Sequence, residues 1–350
     1  MGYSLKQRIG AVVLDWPHFE WGLRTSWLRI CNRNDRLNAS PDSRGVACDW
    51  KWTSDLYVAK VFPSLGTRLM ERALMDWPIE FDETIEADKS HIQVSFVIGH
   101  RGVQRLPHLL ATLGTIAAQR GVSCECIVVE QSAQKEIQGE LPSWVRYVHT
   151  PVPDAKMPYC RSWTLNVGAR EAKGELLIFH DNDLLVPKKY AAESWARYQE
   201  GFEVINLKRF IFYLSEEHAS TVKSDHVLNY SQSPVAIMQN AEAGGSLAVA
   251  RGAFLAIGGY DESFVGWGGE DNEFWERAQS RRVWPYGYLP LVHLWHAAQP
   301  EKYKHDPIGA RRFQELSSIL LQERIAELAK RKFGDVRCMD PEWSFQEGGS

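Results

Sequence analysis

The stretch ELLIFHDNDLLVP, Glu175–Pro187, decides the fold. Its apolar run Leu176–Phe179 is what a strand buried on both faces of a parallel sheet requires, and it leads directly into Asp181-Asn182-Asp183. The same pattern recurs upstream. HIQVSFVIG (91–99) is a near-continuous apolar run ending at Gly99, and CECIVVE (124–130) and WVRYVH (144–149) read as two more strands. Between the first two, Leu106, Leu109, Leu110, Leu113, Ile116 and Ala117 fall on one stripe of a helix over 106–119. A second helix is expected over 161–173, closed by Gly174 as its C′ residue. Strands alternating with helices imply right-handed βαβ units and an α/β fold with a mostly parallel sheet flanked by helices. Such sheets bind ligands beyond the carboxyl ends of their strands, which is where Asp181 and Asp183 lie.

The composition fits that reading. With 350 residues, 44% hydrophobic and 24% charged, the chain suits one large domain or two modest ones and excludes a disordered or fibrous protein. A net charge of −4 argues against a nucleic-acid partner. No run approaches the ~18–20 apolar residues of a membrane-spanning helix. Lys6 and Arg8 precede an apolar run that stops at Asp15, too short for a signal peptide, and Lys6 stands where a myristoylation signal has Ser or Thr. The expectation is a cytoplasmic protein. Six cysteines without CxxC spacing read as reduced, structural thiols. The 14 tryptophans offer flat faces that fill a core or stack on sugar rings.

Three segments are expected. Residues 1–90 form a Trp-rich extension with no chemical motif and one recognisable helix at 65–76; a lid, an acceptor-binding arm and an extra packing layer are equally open. Residues 91–305 form the domain that carries the chemistry. Within it, GGSLAVARGAFLAIGGYDESFVGWGGEDNEFWERA (244–278) alternates Gly-rich turns with a strand and two short helices, and VWPYGYLPLVHLWH (283–296) reads as one apolar strand. Residues 306–350 contain an amphipathic helix over 308–333 and a tail. Phe313, Leu316, Leu320, Leu321, Ile325 and Leu328 keep helical spacing, and mixed charges favour packing on the domain over peripheral membrane contact.

Three clusters carry chemistry. Asp181 and Asp183 supply hard oxygen ligands suited to Mg²⁺ or Mn²⁺ on a diphosphate. His293 and His296 supply imidazoles, which suit Mn²⁺ better than Mg²⁺; on a straight strand they face opposite ways, so one ion could take both only if the chain turns there. Glu270 and Asp271 follow Gly266-Trp267-Gly268-Gly269 and open a helix, where the dipole favours the charged form. A carboxylate there serves as a general base, or Asp271 is a plain N-cap.

The ordered set FVIGHR, CRSWTLNVGAREA, LLIFHDNDLLVP, the 244–278 segment and HLWH resembles the GT-A fold of nucleotide-sugar glycosyltransferases. Within that fold it is most similar to family 2 enzymes and the β-1,4-galactosyltransferase catalytic domain, over roughly residues 91–300. The resemblance implies a metal-dependent, inverting transferase using Mn²⁺ (or Mg²⁺). It would move a sugar from an α-linked UDP-sugar to a hydroxyl of a glycan, lipid-linked sugar, peptide or small molecule, as in polysaccharide biosynthesis. It implies nucleotide contacts from His100, Arg101, Glu130, Gln131, Arg161 and Asp181, and a donor-sugar approach at Gly244 and Gly245. It implies metal ligation by Asp183, His296 and His293, the last standing where galactosyltransferases use methionine. Trp267, Gly268 and Gly269 match the closing loop, Asp271 the catalytic base and Glu270 the acceptor-positioning acid. Glu242-Ala243 replaces the aromatic donor-selecting residue, so the resemblance does not name the donor. The alternatives are a retaining GT-A enzyme, a nucleotidylyltransferase, which GHRGVQR serves poorly with only two glycines, and a non-catalytic sugar-binding protein.

Overall fold

The computed structural model describes residues 3–85, 91–152, 156–266, 268–298 and 308–335. The N-terminal region opens with α1 (Leu5–Gly10), a π-helical turn (Ala11–Asp15) and α2 (Trp16–Thr25). A ribbon of β1 (Leu37–Ala39) and β2 (Val46–Cys48), a short β3 (Ser54–Asp55), α3 (Tyr57–Val61) and α4 (Pro63–Asp76) follow. The last meets the expected helix at 65–76. Pro63 opens it, where a missing N–H costs nothing.

The alternating region contains β4 (Val94–His100), α5 (Leu106–Ala117), β5 (Cys124–Ser132), β6 (Arg146–Pro151), α6 (Arg161–Glu171) and β7 (Leu176–His180). Further on come β8 (Leu184–Leu185), α7 (Tyr190–Gln199), β9 (Val204–Ile205), β10 (Lys208–Tyr213), α8 (Glu216–Asp225), β11 (Ala236–Gln239), β12 (Ser246–Ala250), α9 (Arg251–Ala256), α10 (Glu270–Ala278), β13 (Val283–Trp284) and β14 (Leu289–His293). The central seven-stranded sheet runs β13-β9-β12-β7-β4-β5-β6. Its pairings β4–β5, β4–β7, β5–β6 and β9–β13 are parallel, while β12 lies antiparallel between β7 and β9. This is the mostly parallel α/β fold expected. A second sheet, β3-β11-β10-β14-β8, lies beside it and brings β14 and β8 together.

β4 is nearly all buried, as its apolar run demands. α6 packs directly on it because Gly168 has no side chain: a Cβ there would lie 2.3 Å from Val97 Cγ1. On the second sheet, Phe210, Phe212, Val292 and Leu294 are covered by Phe19, Trp27, Leu65, Leu69 and Leu74 from the N-terminal region, which here forms a packing layer. Of the tryptophans, Trp27, Trp50, Trp163, Trp275 and Trp284 are buried, and Trp21 and Trp52 are exposed.

Three details depart from expectation. The 161–173 helix stops at Glu171, and Gly174 is no left-handed cap; it lets the chain pass Ser95, where a Cβ would lie 2.7 Å from the Ser95 nitrogen. The segment 283–296 is two strands in different sheets. Pro285 interrupts the run, and Gly287 passes so close to the Lys208 carbonyl that a Cβ would lie 2.2 Å from its oxygen. The single helix over 308–333 is two, α11 (Ile308–Ser317) and α12 (Leu321–Leu328). At the break, the Ser317 and Ser318 hydroxyls donate to the carbonyls of Gln314 and Glu315, three residues back, the local competition that weakens serine in helices.

Candidate active site

Two clusters of carboxylates assemble at the carboxyl end of the central sheet. The first forms because β7 ends at His180 and β8 pairs antiparallel with the end of β14, His293 against Leu184. β14 ends at His293, and the Leu294 N–H still donates to the Asp183 carbonyl at 2.9 Å. His296 thus lies beyond the strand, where the alternation that opposes an i, i+3 pair no longer applies. His293 Nε2 lies 3.7 Å from Asp183 Oδ1, and His296 Nε2 lies 3.3 Å from Asp183 Oδ2. The three ligand atoms lie within 4.8 Å of one another. One buried carboxylate and two convergent imidazoles fit a divalent transition ion, so a site able to hold a metal exists here. His293 stacks on Tyr213 with ring centroids 4.3 Å apart. His108 Nε2 pairs with the Trp295 carbonyl at 2.9 Å, holding the segment between the two imidazoles. Burial works against the charge on Asp183, but His293, Arg105 and His296 more than offset it and hold its carboxyl low.

The second cluster is organised by one guanidinium. Arg161, the first residue of α6, donates to Asp181 Oδ1 at 3.1 and 2.7 Å and to Asp271 Oδ1 at 2.5 Å, with Glu270 Oε1 3.9 Å away. Burial opposes its charge, but Asp181, Asp271 and Glu270 keep it protonated. Three acids on one cation leave the cluster short of positive charge. Burial, with Asp271 beside it, raises the Glu270 carboxyl to about 7, and burial also raises Asp271 against the pull of Arg161. Glu270 Oε2 is buried with no hydrogen-bond partner. The N-cap of α10 is Gly269, so Asp271 sits inside the first turn and is not the cap.

Gly244 and Gly245 lie beside the second cluster. The Asp181 N–H donates to the Gly245 carbonyl at 2.8 Å. A Cβ on Gly244 would sit 3.0 Å from Asp271 Oδ2, and Gly245 has φ +84, which favours glycine. Gly268 and Gly269 also have positive φ, +94 and +90. Trp267 lies outside the described residues.

The remaining expected residues close the end of the sheet with their side chains engaged internally. His100 Nδ1 accepts from Asn182 Nδ2 at 2.9 Å and its Nε2 faces the Gly102 carbonyl at 3.1 Å; burial lowers its pKa to about 4. Glu130 accepts from the Glu136 N–H at 3.1 Å and from the Tyr147 hydroxyl. Gln131 Oε1 accepts from the Cys160 N–H at 2.8 Å. Arg101 donates to the Met157 carbonyl at 2.6 Å.

Two cations escaped the sequence reading. Arg105, on the turn after Gly102, donates to Asp183 and, at 3.3 Å, to Asn182. Lys208 is buried at the start of β10 and donates to the Ser246 carbonyl in the Gly244–Ser246 turn. Burial lowers its pKa to about 7 against the pull of Asp271, Asp181 and Glu242. Glu242, two residues before Gly244, accepts from Trp275 Nε1 at 3.1 Å.

A family model described as the N-terminal domain of galactosyltransferase matches residues 228–285, which span Glu242 to Gly245, Glu270 and Asp271. The matched segment carries the second carboxylate cluster and lies in a mostly parallel α/β sheet. A search of curated proteins found no match. Among solved structures, the chain is similar to a crystal structure of GalNAc-T7 with UDP, GalNAc and Mn²⁺, at 15% identity and a TM-score of 0.47. That alignment takes in 68% of this chain and 50% of the other, so this chain spans half the length of that relative. Among the described residues no helix is long and apolar enough to cross a membrane.

Proposed function

We propose that the protein is a metal-dependent inverting glycosyltransferase that moves a sugar from an α-linked UDP-sugar to an acceptor hydroxyl and forms a β-linkage. One observation carries this reading: Asp271, its carboxyl raised by burial, faces the Gly244 backbone beside a separate Asp183–His293–His296 cluster. Asp271 thus faces a glycine turn, and the candidate metal site lies along Asp181-Asn182-Asp183, whose first residue is bonded to that turn.

Asp183, His293 and His296 would hold Mn²⁺ (or Mg²⁺), which when bound supplies Lewis-acid charge to the diphosphate. Arg105, within reach of Asp183 and Asn182, adds positive charge on the leaving-group side. Asp271 accepts the acceptor's hydroxyl proton as that oxygen attacks the anomeric carbon and the bond to the diphosphate breaks. Arg161 steadies the ionised Asp271, and the unpartnered Glu270 Oε2 accepts a hydrogen bond from the acceptor. The loop around Trp267, Gly268 and Gly269 covers the donor and keeps out water. His100, Arg101, Glu130 and Gln131 shape the nucleotide end. We assign residues 91–305 to the catalytic domain, 1–90 to a supporting extension and 306–350 to a C-terminal segment whose α11 and α12 back α10, and we place the reaction in the cytoplasm. The unpaired state of all five described cysteines supports that compartment.

The test is thermal stability against nucleotides and nucleotide sugars with Mn²⁺, Mg²⁺ and chelator. A ligand that binds only the folded state raises its midpoint. The expected result is a Mn²⁺-dependent shift with UDP, followed by a β-anomeric proton in the NMR spectrum of the product. No shift with any nucleotide, or an α-linked product, defeats the reading.

A further inference from the structure

The N-terminal helix carries an apolar face that no described residue covers. Leu5, Ile9 and Val13 are 74%, 54% and 62% exposed and follow one another at steps of four. Val12, Leu14 and Trp21 are each about half exposed beside them. Val12, Val13 and Leu14 are exposed in succession within the π-helical turn Ala11–Asp15, so this stretch stands proud of the body. The helix is held through Ala11, Phe19 and Gly22, which are buried, and through Trp16, edge-on to Phe62 at 5.1 Å.

Its charges are sorted by sign. The two acids turn inward and are neutralised: Asp15 takes a bidentate bond from Arg33 at 3.0 and 2.9 Å, and Glu20 takes one from Arg68. The cations Lys6 and Arg8 are exposed, and Arg24, 81% exposed, lies 3.9 Å from Glu20 in a loose ion pair. The outward surface is therefore apolar and positive together. That combination suits the boundary between anionic headgroups and acyl chains, where apolar side chains insert and Lys and Arg remain among the headgroups. A second copy of the chain on this face would set Lys6, Arg8 and Arg24 against their own kind.

We propose that residues 5–25 are an interfacial anchor seating the protein on an anionic lipid surface. The helix rests on α3 through the edge contact of Tyr3 and Tyr57 at 5.9 Å. β3, just before α3, pairs with β11, and β11 leads into the turn at Glu242–Gly245, so the anchor and the site share one packed body. Resting on the transferase reading proposed above, this seat suits an acceptor held in or on a membrane, though lipid binding itself does not depend on that reading.

The experiment is flotation of the full chain with vesicles of mixed phosphatidylglycerol and phosphatidylcholine, and with phosphatidylcholine alone. The wild-type chain is expected to float with the anionic vesicles and to release as salt rises. Reversing Lys6 and Arg8 to Glu, or changing Ile9 and Val13 to Asp, should each cut partitioning on the order of tenfold, with the thermal midpoint unchanged. Equal flotation of the variants, or failure of the wild type to float, overturns the proposal. So does a wild-type dimer, seen by sedimentation, that the Ile9→Asp/Val13→Asp variant dissolves, because it assigns the face to a second copy. Turnover on a water-soluble acceptor should be the same in all variants. If no chain turns over while flotation behaves as stated, the catalytic reading fails and the anchor stands.

Discussion

Asp183 is a buried aspartate and Asp271 a half-buried one, yet their surroundings push them in opposite directions. Asp183 faces two imidazoles and a guanidinium, which hold its carboxyl low. Asp271 shares Arg161 with Asp181 and Glu270, and burial raises it. The number of cations per acid makes the difference. An acid rich in positive partners remains an anion fit to ligate, and an acid that must share one partner takes up a proton more readily. The proposed division of duties between the two carboxylates rests on this contrast.

That contrast can be broken by mutation. The largest effect is expected from Asp271→Asn, which should lower turnover by about 10²–10⁴-fold while calorimetry finds Mn²⁺-dependent UDP binding within a few-fold of wild type. If UDP binding collapses as well, the two duties are not separate. Asp183→Ala should cost on the order of a hundredfold in turnover, and it should abolish the Mn²⁺-dependent thermal shift that Asp271→Asn retains.

Glu270→Gln sharpens the comparison through pH. The raised carboxyl pair predicts an acid limb of kcat/KM near neutrality, since the pair must lose its shared proton for Asp271 to act. Removing one negative neighbour should move that limb to lower pH, and an unmoved limb would show that the two acids titrate apart.

The smallest effect is on stability. Lys208 is lowered to about 7 in the folded chain from an ordinary value near 10.5. Between those values the unfolded chain binds more protons, so this residue makes stability rise with pH. Lys208→Met should flatten that rise in thermal midpoints measured from pH 7 to 10.

Much of the fold was readable because its strands are long apolar runs and its acids sit at strand ends. Asp181 follows β7, and Glu270 and Asp271 follow a glycine cluster, patterns carried within a few neighbouring residues. The metal-site geometry was half readable. HLWH supplied the spacing, but that β14 ends at His293, and that Asp183 is brought against both imidazoles, depends on pairing between segments far apart in sequence. Arg105 and Lys208 left no local signal, because their partners Asp183 and Ser246 are brought near only by the sheets. The split of 283–296 was hidden for a related reason: Gly287 answers to the Lys208 backbone, not to its own neighbours. The break after Ser317 lay in plain view, since two adjacent serines can each turn a hydroxyl back on the helix.

The ladder joining β8 to β14 is only two residues long on each side. It nonetheless closes a chain loop of about a hundred residues, whose entropy opposes closure. An ion held jointly by Asp183, His293 and His296 would act as a cross-link across that loop as well as a reagent. Its removal should be visible as faster hydrogen exchange at one amide, Leu294, whose proton is bonded to the Asp183 carbonyl.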